Sequence, residues 1–334
     1  MLWLAGLIGA MAVGAVGMLD FSSSDEEEVE PRRVQEKDLD AADDTEIETL
    51  DQDARDTPSD TGVNVISGTE QDETITGTDG IDRIGGYDGE DTIFALGGDD
   101  ELVGMGGDDS LDGGGGDDTL RGGGDNDVLF GADGEDTLYG YEDDDTLRGG
   151  AEADSLHGGD GDDVADGGDG DDAVHGGLGN DTLQGGAGAD SLFGGWDDDL
   201  IDGREGSDAG VSDFLNGGGG DDVIIGDHGD VVTSGEGADT IVTSADMTTG
   251  GALDIIDFDA DADNIVLLWD DTDGGNTPEI LVQESATASG MTEVLMDGVI
   301  VAHVPTDSGL LIEDVALVPR SVALSSGLLP ASAA

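Results

Sequence analysis

Aspartate recurs at every ninth position along the middle of the chain: Asp82, Asp91, Asp100, Asp109, Asp118, Asp127, Asp136, Asp145, Asp154, Asp163, Asp172, Asp181, Asp190 and Asp199. Glu73 precedes the series in phase, and Asp222 continues it after an insertion. A carboxylate at fixed spacing, set among glycines, suits the holding of hard cations by oxygen. Ca²⁺ takes about six to eight oxygens at ~2.3 to 2.6 Å, from carboxylates and from backbone carbonyls that a glycine-rich turn leaves accessible. Mg²⁺ fits worse, because it demands a small octahedron and keeps its waters. If alternate units share an edge of the molecule, carboxylates eighteen residues apart become neighbours. Asp109 with Asp127, Asp118 with Asp136, Asp163 with Asp181 and Asp172 with Asp190 would then hold cations between them.

Composition points the same way. The 334 residues include 82 Asp plus Glu against nine Lys plus Arg, for a formal charge of −73 at pH 7. Such a balance opposes nucleic acid and anionic membrane surfaces as partners and favours cations. Glycine contributes 61 residues and aromatics 4%, a composition that by itself describes a disordered chain. No cysteine is present, so neither a disulfide framework nor a thiolate metal site exists, which suits an extracellular destination.

The elements that must position these carboxylates follow from the period. Cut from Gly68, fifteen contiguous nine-residue units reach Asp202, among them GYDGEDTIF, GMGGDDSLD, GGDGDDVAD and GGLGNDTLQ. Position one is glycine in every unit but the one that begins at Ala95, position six is the acid, and position eight is apolar throughout, from Ile75 through Leu102 to Leu156 and on to Ile201. The triplet at positions seven to nine reads as a three-residue strand with one side chain inward and two outward. The glycine-rich remainder reads as a tight turn needing positive φ at several positions. Strand, turn, strand, turn closes one coil per eighteen residues. Coils stacked at ~4.8 Å by parallel pairing make a rod of roughly 35 Å. One buried aliphatic side chain per nine ordered residues does not offset the lost chain entropy, and stacking brings like charges together, so this rod is expected to need cations to fold.

The units GGDGDDVAD, GGDGDDAVH, GGLGNDTLQ and GGAGADSLF resemble the RTX (hemolysin-type) calcium-binding nonapeptide, GGxGxDxUx, a pattern that is itself a standard repeat signature. The resemblance covers about residues 68 to 242. It implies an all-β chain, a calcium-stabilised parallel β-roll binding several Ca²⁺ ions between its turns. It also implies export by type I secretion machinery, which reads uncleaved C-terminal signals, and hence an extracellular location. Position four departs from glycine at Gln71, Asp125, Asp143, Glu152 and Asp197, where weaker binding or altered turns are expected.

The flanks divide the rest. Residues 1–21 open with an uncharged apolar run, 1–19, long enough at ~28 Å to span a bilayer core as a helix, and it reads as a membrane anchor or as a cleaved signal. Residues 22–66 form an acidic, disordered linker with Pro31 and Pro58, residues 67–242 the β-roll, and residues 243–320 a small β-rich C-terminal cap. Within the cap, Asp297-Gly298 marks a two-residue hairpin turn. The tail, 321–334, resembles the tails of type I secreted proteins.

No HExxH helix, GxSxG elbow or phosphate-binding glycine loop ending in Lys occurs, which argues for a non-catalytic protein. His157 and His175 both stand at position nine and should stack on an outer face with Tyr139 and Phe193. Two further readings remain open at this level: an adhesin or surface-layer component that uses such outward rows, and a hydrolase of the same repeat family with an unrecognised site.

Overall fold

In each repeat the chain runs extended through the aliphatic triplet and then continues extended through the first glycines of the next unit. The computed structural model describes residues 62–204, 211–227, 229–244, 251–271, 277–286 and 288–326. The apolar segment 1–19, the linker up to residue 61 and the last eight residues of the tail lie outside the described residues. Among the described residues, no helix is long and apolar enough to cross a membrane.

The fold is an all-β parallel solenoid. Alternate strands build two facing sheets, one of 14 strands and one of 12. The register advances by eighteen: Leu102 pairs with Leu120, Leu120 with Leu138, and Leu147 with Ala165. The position-eight side chains therefore point between the sheets, and Ile84, Leu102, Leu120, Leu138, Leu156 and Leu192 are fully buried there.

Most strands are longer than the expected triplet. Ser110–Gly115, Thr137–Glu142 and Ala173–Leu178 are each six residues, running from position seven through position three of the next unit. Three-residue strands persist at Thr74–Thr76, Thr92–Phe94, Leu200–Asp202 and Val223–Ile225. The extension arises because position one is a second inward position. Its glycine is buried, so the backbone stays paired with adjacent coils and only positions four to six are left to turn.

The parallel ladders do not stop at residue 242. Leu253–Ile255 and Asn264–Trp269 add to the two sheets in parallel, and Val299–Pro305 and Val315–Pro319 follow in parallel again. Antiparallel pairing among the described residues is confined to a meander at the end of the 14-stranded sheet, where Met291–Met296 pairs with Val299–Pro305 on one side and Ile280–Glu284 on the other. Its turn is Asp297-Gly298, with φ of 50° and 82°, the two positive values that a tight hairpin of this length requires. Arg320–Ser326 is a short helix whose Ala323 is buried in a cluster with Ile225, Val242, Val266 and Leu268.

On the outside of the larger sheet, the position-nine row forms a continuous stack. Ring centroids lie 4.9 Å apart for Tyr139 and His157, 5.0 Å for His157 and His175, and 4.7 Å for His175 and Phe193, and adjacent planes are inclined by less than 10°. The strand spacing matches ring stacking, which is why identical positions in successive coils meet face to face. Burial first, and His175 second, push the His157 imidazole down to about 4, so it is neutral at pH 7.

Candidate metal centre

The position-six aspartates sit where each turn re-enters a strand, and that placement buries them. Asp82, Asp91, Asp100, Asp109, Asp118, Asp127, Asp136, Asp145, Asp154, Asp163, Asp172, Asp181, Asp190, Asp199 and Asp222 are each only 1–3% exposed. The structure sorts them into two rows, one along each edge of the solenoid. Within a row, each backbone N–H donates to Oδ1 of the aspartate one coil onward: Asp109 to Asp127 at 2.8 Å, Asp118 to Asp136 at 2.8 Å, Asp163 to Asp181 at 2.9 Å, and Asp172 to Asp190 at 2.9 Å. The pairs eighteen apart are thus brought together.

The second carboxylate oxygen is different. In Asp91, Asp100, Asp109, Asp118, Asp127, Asp136, Asp145, Asp154, Asp163, Asp172, Asp181, Asp190, Asp199 and Asp222, Oδ2 is buried without a hydrogen-bond partner. A buried carboxylate oxygen left unpaired is costly, so a missing partner is expected for each. The position-one glycine explains the space available. A Cβ built on Gly149 would collide with Asp154 Oδ2 and lie 2.6 Å from the Gly167 carbonyl oxygen. The same collision, with Asp172 Oδ2 and the Gly185 carbonyl, would occur at Gly167. Glycine therefore keeps a small cradle open in which a carboxylate oxygen and a backbone carbonyl converge.

That donor set, all oxygen and partly backbone, fits a hard cation of the Ca²⁺ kind. Among the described residues no three His, Cys, Asp or Glu side chains converge on one point, so most ligands would be backbone carbonyls.

The turns carry the strain that this arrangement needs. From Gly89 onward, position-four glycines of the turns are left-handed, with φ values from 107° to 159°, whereas Gly80 is not. Asp125, Asp143, Glu152 and Asp197 keep the left-handed sense at about 70°, a narrower conformation, and Gln71 does not adopt it. Their side chains are used in the ladder instead: Asp125 Oδ2 accepts from Gly107 N–H and Glu152 Oε2 from Gly134 N–H.

Without a cation, burial dominates the acid–base behaviour of the rows. It raises Asp109, Asp118, Asp145, Asp154 and Asp199 from 3.8 to about 7, and Asp127 and Asp181 to about 8. Backbone N–H bonds pull these values down, and neighbouring carboxylates add to the rise. A carboxyl whose folded value exceeds its unfolded one makes the folded chain bind more protons between the two. The cation-free fold therefore gains stability as pH falls from about 8 towards 4 and loses it as pH rises through that window. In EDTA, strand signal by circular dichroism is expected near pH 4 to 5 and absent at pH 8; an EDTA form equally unfolded at both would contradict this.

Sequence spacing missed four members of the rows. Asp213, Asp230, Asp239 and Asp263 continue them, at separations of 23, 17, 17 and 24 residues from their predecessors. The nine-residue period is broken there, but the local signal survives: each is followed by one residue and then an aliphatic one, as in Asp213-Phe-Leu and Asp239-Thr-Ile.

The family model described as the RTX calcium-binding nonapeptide repeat (4 copies) matches this chain in overlapping or abutting segments, 67–102, 95–129, 103–138, 121–155, 139–174, 148–183, 175–209 and 210–241. Together they cover residues 67 to 241, more than half of the chain. No curated protein matches it.

Proposed function

Because the chain belongs to the RTX calcium-binding nonapeptide repeat family, whose repeats bind Ca²⁺ in a β-roll, we propose that it is a non-catalytic protein of the cell exterior that folds on binding calcium there. The carrying observation is the double row of buried aspartates, whose interior members such as Asp109, Asp118, Asp127 and Asp136 have one oxygen held by the neighbouring coil and one left without a partner. Bound ions would be held by the row carboxylates and by turn carbonyls. They would cancel the repulsion between stacked coils and satisfy the orphaned oxygens in one step.

The location follows from the calcium dependence. Extracellular calcium modules bind at ~10⁻⁴ to 10⁻³ M, far above cytosolic free calcium, so the chain stays unfolded inside the cell and folds outside. An unfolded chain passes a narrow exporter, and folding at the exit opposes its return. Type I secretion machinery is the matching partner and residues 321–334 the proposed address. The alternative is that residues 1–19 direct export or anchor the protein in the membrane.

The stacked row supports a scaffold rather than a docking platform. His157 and His175 have both ring faces covered by their neighbours, which removes the flat surfaces that an adhesin would offer to a ligand.

Equilibrium dialysis tests the binding. Several Ca²⁺ per chain are expected, not displaced by equimolar Mg²⁺, and a chain that retains no calcium at millimolar concentration refutes the reading. Fractionation of the source cells tests location: full-length protein should be in the medium or envelope, and removal of residues 321–334 should retain it in the cell. Export lost only on removal of residues 1–19 would overturn the proposed route.

A further inference from the structure

We propose that each carboxylate row is closed at both ends by a hydrogen-bonded turn that takes no cation, so that the solenoid carries four calcium-free end caps, at Glu73, Asp82, Asp230 and Asp263. The inference rests on the calcium reading of the interior turns. One row begins at Glu73, which donates its N–H to Asp91 Oδ1, and ends at Asp263, whose Oδ1 accepts the Asp239 N–H. The other begins at Asp82, which donates to Asp100, and ends at Asp230, which accepts from Asp213.

The second oxygen separates ends from interior. From Asp91 to Asp199, and again at Asp222 and Asp239, it is buried and has no partner. At the four ends it accepts an N–H from its own turn. Thr69 donates to Glu73 Oε2 at 2.8 Å, Thr78 to Asp82 Oδ2 at 2.6 Å, Asp227 to Asp230 Oδ2 at 2.7 Å, and Asp259 to Asp263 Oδ2 at 2.8 Å.

Backbone conformation accounts for the division. The residue four before each of these open carboxylates, from Asp91 to Asp199 and at Asp222 and Asp239, is left-handed, from Tyr87 at 80° through Ala132 at 87° and Gly177 at 127° to Gly235 at 105°. None of Thr69, Thr78, Asp227 and Asp259 has a positive φ. A left-handed residue there leaves the carboxylate without a local donor and the cradle open. A residue without positive φ supplies the donor and closes it.

The placement at row ends has a physical reason. A cation in a terminal turn has an aspartate of its own row in the adjacent coil on one side only, although strands pair beyond Asp82, Asp230 and Asp263, so it would lack the carboxylate on the other side and keep its waters. A charge-assisted N–H bond satisfies the inward oxygen without it. Asp82, which is preceded in register by Asn64 rather than by an acid, retains a buried Oδ1 without a partner, while its inward oxygen is closed like the others.

The test is calcium stoichiometry at saturating Ca²⁺ on the full chain, with circular dichroism confirming strand content. Asp127→Asn and Asp154→Asn, one in each row, should each lower bound calcium by at least one ion. Glu73→Gln, Asp82→Asn and Asp263→Asn should bind as many ions as the parent and shift only the calcium midpoint of folding upward. If Asp263→Asn does not fold, Glu73→Gln, at the half-exposed first turn, decides. A folded end variant that has lost an ion overturns the proposal. A parent that binds no calcium overturns the underlying reading instead.

Discussion

In EDTA at pH 7 to 8 the protein is expected to give the circular dichroism of a coil, and in millimolar Ca²⁺ that of a strand-rich solenoid, with Mg²⁺ far less effective. Two terms set against folding are removed together by calcium. The first is the entropy of ordering a glycine-rich chain that buries one aliphatic side chain per unit. The second is the stacking of buried carboxylates such as Asp109, Asp127 and Asp145, whose folded values near 7 to 8 show how unfavourable their ionised forms are without a counter-ion. Each site at free calcium tenfold above its Kd adds ~1.4 kcal/mol to the folded state, and the sites are coupled because each coil is the template for the next. The transition should therefore be steep in calcium concentration. Strand content unchanged by EDTA at neutral pH would mean that the solenoid stands without ions, and the central claim would fail.

The second large effect is expected from a single methyl group. Gly167→Ala places a Cβ against Asp172 Oδ2 and 2.6 Å from the Gly185 carbonyl, both of which belong to the cradle rather than to flexible side-chain ends. Overpacking of this kind costs ~1 to 3 kcal/mol, and here it also displaces a proposed ligand, so the calcium midpoint should rise several-fold. Gly124→Ala is the control: nothing lies within 4 Å of its Cβ and its φ is not positive, so the midpoint should hardly move. Equal midpoints for the two variants would show that the cradle over position one is not where calcium acts.

How much of this was legible beforehand depends on the range of the interaction. The inward row from Ile75 to Ile201, the coil of eighteen residues and the pairing of Asp109 with Asp127 follow from periodicity, because a repeated unit can only stack upon itself. The stack of Tyr139, His157, His175 and Phe193 was legible for the same reason. The six-residue strands were not. The triplet alone alternates in polarity, and glycine at position one has no side chain to announce that it points inward.

Tertiary structure alone decided the remainder. The continuation of the two sheets, to Pro305 in one and Pro319 in the other, depends on Leu253–Ile255 and Asn264–Trp269 finding the last coils as templates, which no nine-residue period signals. Asp213, Asp230, Asp239 and Asp263 join the rows through hydrogen bonds that span loops of irregular length, and a loop hides spacing while leaving the geometry at its ends intact. The sequence by itself determined that oxygen ligands recur at one place in every turn. Which of those oxygens are left open and which are closed was decided by the backbone of the residue four positions earlier, since Thr78 donates its N–H to Asp82 whereas Met105, at a φ of 87°, leaves Asp109 Oδ2 without a partner.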